Sequence, residues 1–152
     1  MSNPFEAFKK ERLAKEAALR QEGERKQEAL KLAEAEREKK IAEQKRLNLD
    51  LHNQFNVMVL SILNALQDAV YPSYQVKGSK DSPYWSIGAD EYWESHMGEN
   101  SGYTWKARVE VRIDPEKFPY LFICSVNSKR MECQASESEL IKTLTLLHEQ
   151  NQ

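Results

Sequence analysis

The sequence predicts an α+β protein: a long N-terminal charged helix continuing into a core helix, about five antiparallel strands, and a C-terminal helix. Three observations predict it. The first third is rich in Ala, Glu, Lys, Arg and Gln with one glycine, Gly23. Residues 51–70 carry an apolar stripe at helical spacing, and residues 73–134 switch to an alternation of period two. Across 152 residues, 30% charged and 40% apolar with a mean hydropathy of −0.74, so much polarity implies two unlike parts. We divide the chain into an extended helical arm, 1–47, and a compact α+β domain, 48–152. Through Asp50, 13 Lys+Arg face 11 Asp+Glu; from Leu51 onward 9 face 13. Neither half has the strong basic excess that advertises nucleic acid or an anionic membrane.

Residues 2–49 read as one helix. Asn3 is placed to cap it and Pro4 suits the first helical position, where a missing N–H costs nothing. Glu precedes a base by four residues at Glu6/Lys10, Glu11/Lys15, Glu16/Arg20, Glu22/Lys26 and Glu36/Lys40, which supports an exposed helix by charge rather than by a core. There is no heptad seam. Instead Phe8, Leu19, Leu30 and Ile41 recur every eleven residues, a spacing that drifts little along a helix and favours right-handed supercoiling. The arm reads as a solvated charged helix, as a weak or partner-induced coiled coil along this stripe, or, with least support, as a membrane-surface helix.

From Leu51 to Val70 the apolar residues share one broad face of a helix that Pro72 ends, with Val57 and Leu60 straying from it. Strands are expected at Tyr74–Lys77, Tyr84–Ala89, Thr104–Ile113, Tyr120–Val126 and Lys129–Gln134. Asn127-Ser128 turns the last hairpin, and Ser136 with Glu139 opens a terminal helix carrying Leu140, Leu144 and Leu147. Taking Asp114 to Lys117 as the third hairpin's loop sets Val111 opposite Tyr120. Trp105, Ala107, Val109, Val111 and Ile113 then face both helices, with Phe122, Cys124 and Cys133.

The outer face would hold Lys106, Arg108, Glu110, Arg112, Leu121, Ile123, Arg130 and Glu132, with Lys106, Arg108, Arg112, Leu121, Ile123 and Arg130 as the candidate interaction surface. Two aliphatics facing away from the helices either lie under arginine stems or form the centre of a partner surface. The aromatics Tyr84, Trp85, Tyr92, Trp93, Tyr103 and Trp105 beside those bases admit a second reading, single-stranded nucleic-acid binding, which the domain's acidic balance disfavours. A third, weaker reading is a metal-dependent enzyme using Asp90, Glu91, Glu94, His96 and Glu99, taken as a loop among Gly88, Gly98 and Gly102. No phosphate loop, nucleophile elbow or zinc spacing is present. His52 and His148 read as structural, and the cysteines, on core-facing strand positions, as inert thiols in a reducing compartment. The first ten residues lack a leader's apolar run, and no 18-residue apolar stretch occurs. The expectation is a cytoplasmic, non-enzymatic interaction or adaptor protein without metal or cofactor. Its partner is a protein or itself, as a homo-oligomer; nucleic acid is possible but not favoured, and no membrane span is expected.

Overall fold

The structure is a computed structural model that describes residues 3–151. Its elements are α1 (Glu6–Val70), β1 (Gln75–Gly78), β2 (Tyr84–Glu94), β3 (Ser101–Ile113), β4 (Leu121–Val126), β5 (Lys129–Gln134) and α2 (Glu137–Gln150). The five strands form one antiparallel sheet in the order β1-β2-β3-β4-β5, a meander in which every neighbour in sequence is a neighbour in space. The chain falls into two units, Met1–Glu43 and Gln44–Gln152.

The first unit is helical because almost every residue in it favours helix and nothing interrupts it; even at Gly23 the helix continues. The Asn3 side chain accepts the Phe5 N–H at 3.0 Å, supplying the expected cap. Glu11–Lys15 and Glu22–Lys26 close at 3.5 and 3.7 Å.

In the second unit, one core joins the last turns of α1, one face of the sheet and α2. Leu51, Phe55, Val59 and Leu63 supply the first layer, Leu140, Leu144 and Leu147 the second, and Trp85, Ile87, Val109, Val111, Ile113, Phe122, Cys124, Val126 and Cys133 the sheet face. Phe55 meets Phe122 edge-on at 5.4 Å, a favoured aromatic geometry. Of the two residues outside the apolar stripe, Val57 is exposed, whereas Leu60 is half-buried against the core. Asn127 and Ser128 both have positive φ, the backbone of a two-residue hairpin turn matched to strand twist. The Ser136 hydroxyl caps α2 by accepting from the Glu139 N–H.

Three expectations about the strands need correction. The β3–β4 connection is longer than a four-residue loop, so Val111 lies opposite Cys124 and Ile113 opposite Phe122. The slip is an even number of residues, and the faces survive it. Second, β2 runs to Glu94 instead of stopping at Ala89, and β3 begins at Ser101, so the acidic stretch is mostly strand. Third, the β2–β3 ladder steps from Ile87↔Val109 to Gly88↔Ala107, leaving Arg108 as the extra residue of a bulge. Gly88 makes the step possible: a Cβ there would stand 2.2 Å from the Lys106 carbonyl oxygen. The bulge's own carbonyl is satisfied by the Asn127 N–H at 3.0 Å.

Below the bulge the alternation of β3 is inverted. Trp105, expected inside, projects to the outer face, where its indole N–H donates to the Ser86 hydroxyl at 3.1 Å. Lys106, expected outside, pairs with Glu91 at 2.8 Å on the face that carries Ile87. Arg108 likewise leaves the outer face, its guanidinium lying 5.5 Å from the ring of Tyr74.

Candidate interaction surfaces

Of the six candidate interaction residues assigned to the outer face, the structure brings together four: Arg112, Leu121, Ile123 and Arg130. Arg112 lies opposite Ile123, Ile123 opposite Glu132, Leu121 opposite Gln134, and Ser125 opposite Arg130. Leu121 and Ile123 are half-buried, as residues flanked by long polar side chains should be. Glu110 and Glu132 share this face with Arg112 and Arg130, so it carries mixed charge. Lys106 and Arg108 are spent elsewhere, and the continuous basic face expected of a nucleic-acid platform is absent from this sheet. Trp105 instead closes a small cluster, with Lys77 Nζ at 4.1 Å over its ring and Ser86 sealed beneath.

Beyond the bulge β2 and β3 pair only with each other, since β1 ends its pairing at Gly88 and β4 at Val109. They form a two-stranded ribbon. Tyr92 and Tyr103 face one another across it at 5.5 Å, both exposed. Asp90, Glu91 and Glu94 are spread along a strand, His96 and Glu99 sit in the turn, and among the described residues no group of three His, Cys, Asp or Glu could hold a metal ion.

Both candidate histidines have structural occupations. His52 stacks on Trp85 at 5.7 Å and places Nδ1 3.2 Å from the Ser82 carbonyl. His148 Nδ1 donates to the Leu144 carbonyl, so Nε2 accepts from the Tyr71 hydroxyl at 2.9 Å. Cys124 and Cys133 lie on the same core face of neighbouring strands, and their mutual influence holds the Cys124 proton while lowering the pKa of Cys133. Neither cysteine has a neighbouring histidine base among these contacts.

Two further surfaces complete the set. Every residue from Asn3 to Arg46 is exposed, including the stripe residues Phe8 (68%), Leu19 (69%), Leu30 (64%) and Ile41 (47%). The other surface, which sequence reasoning missed, is an apolar groove of about 540 Å³ between the last turns of α1 and α2, lined by Ile62, Ala65, Leu66, Val70, Ile141 and Leu144. Its signal was the excess width of the apolar stripe: one sheet face consumes Leu51, Phe55, Val59 and Leu63, and Ile62, Leu66 and Val70 are left over. No family model matches the chain, and no curated protein or solved structure matches it. Among the described residues no helix is long and apolar enough to cross a membrane.

Proposed function

We propose that this is a non-enzymatic interaction or adaptor protein of the cytoplasm, an α+β domain whose helical arm mediates self-association, as a homodimer, or docks the domain on a larger assembly. The observation that carries this reading is the complete exposure of residues 3–46. Helices in water draw most of their stability from packing an apolar face. Here Phe8, Leu19, Leu30 and Ile41 stand on a helix with nothing over them, and burying each would contribute about 1.5–3 kcal/mol. The two free thiols fit a reducing compartment. The aliphatic pair Leu121 and Ile123, between Arg112 and Arg130, supplies a second docking surface.

Sedimentation equilibrium of the full chain tests the reading. Replacing Leu19, Leu30 and Ile41 with Gln retains helix propensity and removes the apolar mass. We expect the native chain to associate and the triple variant to weaken that association at least tenfold. In parallel, Leu121→Thr with Ile123→Thr should reduce binding more than it lowers the melting temperature. A native chain that remains monomeric and captures no protein partner through either surface refutes the reading.

A further inference from the structure

The groove between α1 and α2 and the start of the arm are complementary in chemistry. The groove floor is aliphatic, from Ile62, Leu66 and Leu144, and Val70 and Ile141 remain exposed at its mouth. Glu137 and Glu149 stand among its lining residues, which include neither Lys nor Arg; His148 also lines it, with both ring nitrogens engaged by Leu144 and Tyr71. At the beginning of α1, Phe5 and Phe8 are exposed, with ring centroids 6.4 Å apart. An advance of 100° per residue puts Lys9 and Arg12 on the same side of the helix as this pair, with Arg12 also 3.9 Å from Glu16, a contact that a partner's carboxylate would have to displace or share. One surface is thus apolar with an acidic rim, and the other aromatic with basic flanks. Docking an amphipathic helix by two anchors spaced i, i+3 is an established way to fill such a groove.

We propose that the α1–α2 groove of one copy receives the Phe5–Phe8 end of the arm of a second copy. The inference rests on the self-association proposed above and specifies where it occurs. Phe5 and Phe8 enter between Ile62, Leu66 and Ile141, while Lys9 and Arg12 come to the carboxylates of Glu137 and Glu149. A volume of about 540 Å³ lies in the ~300–1,000 Å³ range of pockets that bury compact apolar groups. Because each copy carries both surfaces, a two-fold arrangement uses the contact twice, and dissociation must break both.

The test uses full-length chains. One preparation carries Phe8→Cys and the other Ala65→Cys, both at exposed positions, while the native cysteines are buried. Mixed under mild oxidation, the two should give a disulfide-linked product of twice the 17.7 kDa chain mass, with residues 8 and 65 joined in one peptide by mass spectrometry. Separately, Phe5→Ala with Phe8→Ala, and Glu137→Lys with Glu149→Lys, should each weaken association roughly tenfold or more. The first pair should leave the thermal melt unchanged. An unchanged dissociation constant in both pairs with no 8–65 linkage overturns this inference while leaving self-association intact. A native chain monomeric at every concentration, with its groove open to another protein, overturns both.

Discussion

Tyr84 couples the outer sheet face to pH through one hydroxyl. It donates to a Glu110 carboxylate oxygen, and burial, followed by that bond and its charge, pushes its pKa from 10.0 to about 12. The folded state therefore holds this proton more tightly than the unfolded chain. Its contribution is complete below pH 10 and is lost as pH rises through the folded value near 12. Urea unfolding at pH 9 and pH 11 should show a larger fall in midpoint for the native chain than for Tyr84→Phe, which has nothing to ionise. Parallel falls would show that the hydroxyl stays protonated for no energetic reason of its own. The same scale explains why His52 and His148 were legible: each lies beside apolar residues in sequence, His52 stacking on Trp85 with Nδ1 at the Ser82 carbonyl and His148 using both ring nitrogens.

At the scale of elements, the bulge separates what could be read from what could not. The alternation from Thr104 to Ile113 is unbroken in sequence, and it correctly placed Val109, Val111 and Ile113 inside. Nothing in β3 itself reveals the inversion that sends Trp105 out and takes Lys106 and Arg108 off the outer face. The signal lay on the partner strand, because an isolated glycine in a strand marks a bulge or a close backbone approach. In sequence, Gly88 falls both inside the strand expected at Tyr84–Ala89 and, with Gly98 and Gly102, in a loop holding the acids of β2, so its signal as a bulge glycine is lost. Gly88→Ala should be costly for the same reason: its Cβ would meet the Lys106 carbonyl oxygen at 2.2 Å and Ala107 Cα at 2.9 Å, backbone atoms that cannot rotate away. A loss of roughly 1–3 kcal/mol or more is expected in denaturant unfolding. Gly23→Ala, where a Cβ meets nothing within 4 Å, should instead raise helicity by circular dichroism. Equal effects at the two glycines would remove the steric account of the bulge.

For the molecule as a whole, folding and the proposed association draw on different residues. The buried cluster begins at Leu51, and no side chain from Asn3 to Arg46 enters it. Removing residues 1–43 should leave a cooperative melt with little change in midpoint, followed by differential scanning calorimetry, whereas a cut that removes Leu51 and Phe55 should abolish the transition. A lost transition in the shorter deletion would show that the arm is part of the fold. The helices, the sheet and its inner face were readable because burial imposes a period on sequence. The surfaces proposed for association were only partly so, since an exposed apolar stripe and a leftover groove obey no period that solvent enforces.

The two-stranded ribbon divides β2 and β3 by rank of protection. From Val109 to Ile113 the backbone amides of β3 lie between two strands over a packed core, and their exchange with deuterium requires opening that core. From Gly102 to Lys106 the same strand has one neighbour and exposed or half-buried side chains, and isolated pairs of strands are marginal in water. Ribbon amides should exchange orders of magnitude sooner than those a few residues along the same strand. Uniform protection along β3 would mean that the ribbon is covered. One continuous strand thus holds both a slow and a fast clock, with Arg108 at the boundary between them.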